Sequence, residues 1–543
     1  MYFWPKTSQC LNNFHRWKPA MNNRNHKYAL LLVVAVAATS TGVLSAAYAQ
    51  QVDDGMSGYI TSGTGIDTGN PAECWYETAP GSGSYAPCMI DTGDTAWMLV
   101  ATSLVLFMTP GVAFFYGGLA RSKNMVNVLG MTLVVMGLIS VQWVLWGYSL
   151  AFGPVNNDAN LFMGSLDYVG FNKVSHVAPL GTPAKCTDQV YYTLRSPYVV
   201  SEDVKCSAIW PGTIPHQLFA MFQATFAIIT PALIIGGIID RIKFSAFVVF
   251  ILLWATFVYD PVAHWVWGGG YMFAGKLDLN PDLKPSFPLD FAGGTVVHIT
   301  SGFSALAGAL VLGRRLGYGK VPMEPHNIPM VVLGTGMLWF GWFGFNAGSE
   351  VAADGVATSA WVVTNTATGM AALTWMLMAW AHTGKPSVVG TASGAVAGLV
   401  TITPASGFVG PMAALIIGIA AGTVCYGCVS FKNSRKWDDA LDVWGVHGMG
   451  GFTGAVLTGT LASPHIWDTG NGIGAWTGTP EGYEQQALNI IGALISVGYA
   501  FGITIVILKV MDAVWPGGIR VTPKEEEIGL DLAQHGERAY VNE

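Results

Sequence analysis

Two histidines stand where almost nothing around them can carry a charge. His298 lies in "AGGTVVHITSGFSALAGAL" and His447 in "VWGVHGMGGFTGAVLTGTL", runs of small and apolar residues. Each opens the same pattern, H-x-x-x-G-F-[S/T]. Desolvation favours the neutral imidazole, in which one ring nitrogen donates a hydrogen bond and the other accepts one. Two such rings brought together satisfy each other in a dry passage. A metal pair would want carboxylate or thiol ligands close by, and these runs hold none, so no metal site is expected. An ionisable residue inside a membrane span is a functional candidate by default.

Aromatic rings at helical spacing form a second theme. Phe222 and Phe226 are four residues apart in "FAMFQATFAIIT". In "WFGFNAGS", Trp342, Phe345 and Ser349 fall on one helical face. Trp267, in "HWVWGGG", ends an apolar run at the same predicted surface. An aromatic belt facing lipid is the ordinary explanation. The alternative is a cage whose ring faces attract a small cation, with Ser349 offering an oxygen.

These residues need spans to hold them, and the composition supplies them. Hydrophobic residues make up 52% of the 543 and charged residues only 11%, with a mean hydropathy of +0.43. Soluble domains carry about a quarter charged residues. A span uses about 20 residues, so one polytopic domain accounts for the length. Apolar runs fall near 95–116, 127–152, 214–238, 245–268, 291–312, 328–349, 359–382, 387–401, 409–430, 441–462 and 486–511, which makes eleven spans. The two histidine patterns occupy the fifth and tenth. That placement is what two five-helix repeats of opposite topology would produce, with the histidines meeting near the midplane and the eleventh span outside the repeat. The expected fold is therefore all-α and polytopic: eleven transmembrane helices, two five-helix inverted repeats plus a final helix. Glycines crowd around both histidines (Gly293, Gly294 and Gly302; Gly445, Gly448, Gly450 and Gly451) and read as close-packing positions rather than ligands.

Orientation follows from charge. Arg24 and Lys27 precede an apolar run ending in Ala47-Tyr48-Ala49, so residues 1–49 read as a signal peptide, with Met21 as an alternative start and a retained first helix as the other reading. Residues 50–92 form an exported N-terminal segment. From Gln50 to Asp94 there are seven Asp or Glu and no Lys or Arg. Residues 93–511 form the membrane domain, and 512–543 a cytoplasmic C-terminal tail. The turns expected inside carry Arg121 and Lys123, Arg241 and Lys243, Arg314, Arg315 and Lys320, Lys385, then Lys432, Arg435 and Lys436. This satisfies the positive-inside rule at every one and describes a multi-pass protein of the cell inner membrane, with exported N-terminus and cytoplasmic C-terminus. Cys74 with Cys88, and Cys186 with Cys206, lie in two exported loops where even counts suggest disulfides, paired here by proximity alone. Cys425 and Cys428 read as small hydrophobes in a helix rather than as a redox motif. No H-E-x-x-H, Walker A loop or dinucleotide fingerprint occurs. An enzyme, a cofactor, ATP-driven transport and a nucleic-acid partner therefore have no sequence support.

The segments "MTPGVAFFYGGLARSKN", "DFAGGTVVH", "GWFGFNAGS", "DVWGVHG" and "GLDLAQHGERAY" resemble, in order, the signature segments of the ammonium transporter family, Amt, with its Mep and Rh relatives. The resemblance runs from about residue 93 to the C-terminus. It implies a homotrimer in the lipid bilayer with one conduction path per subunit, and ammonium, or its analogue methylammonium, as substrate. By motif, Phe226, Trp267 and Ser349 correspond to the external ammonium site. Phe226 and Phe345 correspond to the stacked gate below it, with Phe222 and Trp342 as supporting rings. His298 and His447 correspond to the twin pore histidines. Asp290 matches the family's acidic residue near the recruitment site, and from its position alone it is also an N-cap for the fifth helix. For the tail, the resemblance implies packing across neighbouring subunits and work with a PII-type signalling protein. Two other functions fit parts of this pattern: an ammonium sensor, and an Rh-like ammonia or carbon dioxide channel, which the complete Phe226, Trp267 and Ser349 set disfavours. The acidic stretch before the first span, the Cys186 to Cys206 loop and "YMFAGKLDLNPDLKPSFPL" look expanded relative to a compact member.

Overall fold

A bilayer leaves each backbone N–H and C=O to be paired within its own segment, so long apolar runs become helices. The computed structural model describes residues 90–174, 176, 213–273, 287–466 and 473–540 in full, and the backbone of 75–77 and 85–87. The first repeat consists of α1 (Thr92–Leu119), α2 (Ser122–Phe152), α3 (His216–Ile238), α4 (Phe244–Val266) and α5 (Gly294–Leu312). The second consists of α6 (Ile328–Glu350), α7 (Gly355–Thr383), α8 (Val388–Ala405), α9 (Pro411–Ser434) and α10 (444–461). The last long helix, α11 (Pro480–Val514), packs outside them against α5 and α10.

Nine of these helices are long and apolar enough to cross a membrane by composition. The other two, α7 and α10, occupy the places of the seventh and tenth expected spans. Their composition explains their weaker signal: α7 is rich in Thr and Ala, and α10 carries six glycines and His447. Several helices start on polar caps that an apolar run does not register. Asp91, Asn327, Asp354, Ser387 and Thr479 each accept a backbone N–H from the first turn. For this reason α1, α7 and α11 begin three to six residues before their apolar runs.

The repeats show in the packing. In the first, α2 packs on α4 and α3 on α5; in the second, α7 packs on α9 and α8 on α10. The two halves meet where α1 lies along α6 and α5 crosses α10. That crossing depends on glycine. A Cβ added to Gly302 would sit 2.1 Å from Gly448 N, and one added to Gly451 would sit 2.7 Å from Gly294 O. The glycines beside the histidines thus serve backbone approach.

One small element adds to the all-helical expectation. Strands β1 (Trp75–Glu77) and β2 (Tyr85–Pro87) form an antiparallel hairpin with Tyr76 opposite Ala86. Strands of three residues are too short to show a two-residue period in sequence. Residues 1–49 and Cys74, Cys88, Cys186 and Cys206 lie outside the described residues. Cys425 is buried, Cys428 half-buried, and both are free.

The basic loops gather at one end of the bundle, and the C-terminal segment lies there against its own chain. A capping box between Thr522 and Glu525 starts α12 (Pro523–Ile528). Lys123 Nζ donates to Glu526 O at 2.8 Å and to Glu527 O at 2.6 Å. Asn127 N donates to Asp531 Oδ1 and Leu530 N to Asn124 Oδ1, each at 2.8 Å.

Candidate functional site

Both histidines sit in π-helical turns, Gly294–Ile299 at the start of α5 and Trp444–Gly448 at the start of α10. Such turns are rare and occur often at functional sites. The symmetric crossing brings His298 Nδ1 within 3.3 Å of His447 Nδ1, with ring centroids 5.4 Å apart. Both rings are buried. A 3.3 Å contact between two ring nitrogens requires one to donate and the other to accept. The geometry thus suits the neutral pair expected from sequence. His298 Nε2 is buried with no partner among the described residues.

The aromatic residues continue this line rather than facing outward. His298 stacks on Trp342 at 5.4 Å and on Phe345 at 5.9 Å, with interplanar angles of 20° and 22°. Phe345 lies 4.4 Å from Phe226. Phe226 meets Trp267 edge-on at 5.9 Å and Phe222 at 5.0 Å. All five rings are buried, which removes the lipid-belt reading for them. Trp342 is fixed by a bond from Nε1 to Thr403 Oγ1, 2.9 Å, and Ser349 Oγ donates to Phe345 O at 2.8 Å. A narrow cavity lies beside this line, bordered by Trp342, Phe345, His298 and His447. Its walls include Val112, Ile229, Leu233, Leu338 and Val396 beside both histidines.

Asp290 holds the entrance of α5. Its carboxylate accepts from Gly293 N, Gly294 N, Thr295 N and Val296 N at 2.7–3.2 Å. Gly293, at φ 109°, makes the turn that folds the chain over the carboxylate. The Asp290 backbone carbonyl accepts from Trp267 Nε1 at 2.9 Å. One residue therefore caps α5 with its carboxylate and fixes the indole with its backbone carbonyl.

Sequence reasoning missed the counterpart. Asp439 lies eight residues before His447, as Asp290 lies eight before His298. Its Oδ2 accepts from Trp444 N at 2.8 Å at the start of the π turn. The repeated spacing is legible, but Asp439 falls two residues outside the apolar run at 441–462. Burial pushes the Asp439 carboxyl up to about 6, opposed by Lys432. Next to it lies a buried ion-pair network. Arg315 binds Asp438 through Nη2 at 2.8 Å and Nε at 3.1 Å, and Arg241 binds the same carboxylate at 3.1 Å. Burial works to raise Asp438, but the two arginines hold it below the usual carboxylate range.

Comparison with known proteins places this architecture. Residues 96–540 match the model of the Ammonium Transporter Family. An ammonium transporter of Aquifex aeolicus is 45% identical over 454 residues, 83% of this chain and 94% of the relative. The crystal structure of Candida albicans Mep2 superposes with a TM-score of 0.67 at 36% identity, covering 83% of this chain and 91% of that one. A structure described as a sensor Amt protein superposes with a TM-score of 0.66 at 25% identity, covering 81% and 98%. With a family match that reaches all eleven long helices and a relative 45% identical across 83% of its length, the chain belongs to the ammonium transporter family.

Proposed function

We propose that the line of rings from Trp267 to His447 is the transport route for ammonium. Ammonium is recruited at Phe226 and Trp267, the ring faces attracting the cation by their quadrupoles and Ser349 supplying an oxygen. Phe226 and Phe345 form the gate below. The cation leaves its proton before the narrow section, and neutral ammonia passes His298 and His447 as donor and acceptor. Asp290 supports recruitment by its charge and by fixing Trp267. Moving a bare monovalent ion into a low-dielectric pore costs on the order of 20 kcal/mol in the idealised limit. Removing a proton from an amine of pKa about 9 near neutral pH costs about 3 kcal/mol. Deprotonation is the cheaper route, and it excludes potassium, which has no proton to leave behind. The proton follows separately along the histidines.

The observation that carries this reading is the unbroken stack Phe226, Phe345, His298, His447, each buried and in contact with the next. In the same reading the protein is a homotrimer of the cell inner membrane. Residues 1–49 are a signal peptide, the N-terminus is exported, and the C-terminal tail at the basic face is cytoplasmic and receives a PII-type protein. Methylammonium uptake by the reconstituted protein, with membrane current recorded, tests it. Saturable uptake accompanied by current is expected; uptake no faster than in empty vesicles removes the transport route. The sensor reading draws support from the likeness to the sensor Amt protein, and it predicts signalling by a chain that transports poorly.

A further inference from the structure

Away from the histidines, another ionisable group lies deep in the bundle. Asp260 of α4 is fully buried, and Gln142 of α2 faces it, also buried. Gln142 Nε2 donates to Asp260 Oδ2 at 2.8 Å. The amide oxygen, Gln142 Oε1, and the second carboxylate oxygen, Asp260 Oδ1, have no partner among the described residues. None of the described ion pairs involves Asp260.

The two positions have a common local structure. Gln142 immediately precedes the π-helical turn Trp143–Gly147 in α2, and Asp260 immediately follows the turn Ala255–Tyr259 in α4. Each turn departs from the regular helical register, and the two departures meet at this contact. Gly147 leaves room for the amide: a Cβ there would lie 2.5 Å from Gln142 Oε1. The described contacts of the pair are with neutral side chains, and the buried ring of His264, one turn further along α4, is engaged by the carbonyl oxygens of Ala151 at 2.9 Å and Asn160 at 2.6 Å. Trp143 lies 6.3 Å from the Tyr259 ring, and Trp146 Nε1 donates to Thr256 Oγ1 at 3.1 Å. Tyr259, whose hydroxyl is buried and has no partner among the described residues, and His264 are the titratable groups nearest along α4.

An ionised carboxylate buried without a counter-charge is strongly unfavourable, and so is an unpaired buried amide oxygen. One proton on Asp260 Oδ1 relieves both. The acid O–H donates to Gln142 Oε1 while Gln142 Nε2 goes on donating to Oδ2, which closes a cyclic acid–amide pair. The two orphaned atoms are the two that this ring requires. We propose that Asp260 is a proton-binding site, held as a neutral carboxylic acid by Gln142, that clamps α2 to α4 without placing a fixed charge in the bilayer. Were Asp260 ionised, Asp260, Gln142 and Tyr259 would instead offer oxygens to sodium or ammonium, a cation site competing with the transport route.

The substitution Asp260→Asn separates the two states, because an Asn amide can reproduce the neutral ring but not a negative charge. The full-length protein labelled with 13C-aspartate, studied by infrared spectroscopy at neutral pH, should show the carbonyl stretch of a protonated carboxylic acid that Asp260→Asn removes. The melting temperature should stay unchanged in Asp260→Asn and fall in Asp260→Ala, which strands the amide. Sodium and ammonium chloride should leave the band in place. Absence of the band in the unsubstituted protein overturns the proposal, as does loss of the band on adding either cation. Failure of Asp260→Asn to fold also overturns it, since the amide is expected to serve in place of the acid.

Discussion

At one end of the α5–α10 pair, Asp290 spends both carboxylate oxygens on four backbone N–H groups, holds Trp267 through its backbone carbonyl, and forms no described ion pair. At the other, Asp439 occupies the matching position but lies beside Lys432, Asp442 and the Arg315–Asp438–Arg241 network, with the C-terminal segment packed close by. The same capping device serves both ends, and the surroundings differ in chemistry. Neutral rings over a satisfied carboxylate attract a cation without binding it as a salt, which suits a site that must release what it takes up. Ion pairs tied to several loops hold a surface in one arrangement, which suits the docking face proposed for the PII-type partner.

The largest expected effect lies between the two ends. His298→Ala or His447→Ala removes polar lining from a dry passage and leaves the other ring's nitrogen unsatisfied, a penalty of about 1–3 kcal/mol, and selectivity for ammonium over potassium in liposome flux should fall by about five- to 150-fold. Equal flux and equal selectivity in folded variants would rule out the paired-histidine route. At the aromatic end, Trp267→Leu keeps apolar bulk but loses the ring quadrupole, a contribution of about 0.5–2 kcal/mol. Half-saturation for methylammonium should rise by about two- to thirtyfold. An unchanged value makes Trp267 a packing residue held by Asp290 and nothing more.

At the charged end, Asp439→Asn tests the asymmetry directly. The folded protein raises this carboxyl to about 6, above its usual value near 4, so folding favours the protonated form. That contribution is full below about pH 4 and is lost as pH rises through about 6. The melting temperature of the Asn variant relative to the parent should therefore climb over this window and level off above it. A difference that is flat with pH means the carboxyl does not titrate there. Smallest of all, deleting Gly529 to Glu543 should change flux less than Trp267→Leu does but abolish capture of a PII partner in a pull-down under low-nitrogen effector conditions. A truncated protein that transports and captures like the full chain leaves the tail without this role.

The eleven spans, their order and the two histidines were determined by the sequence itself, because hydrophobic length and the H-x-x-x-G-F-[S/T] repeat are local properties of the chain. The rings at 222, 226, 342 and 345 were legible as a theme but not as a line. Whether they faced lipid or one another depended on helix rotation, which only packing sets. The π turns were invisible, since no local residue preference distinguishes them from an ordinary α-turn at His298 or Asp260. Asp439 had a readable signal in its eight-residue offset, yet its burial beneath the loops came from contacts between repeats distant in the chain. Gln142 and Asp260 lie 118 residues apart, and each alone reads as an ordinary polar interruption of a span. Only the tertiary structure brings the two together, because the cost of an unpaired polar atom is decided by what surrounds it after the helices have packed.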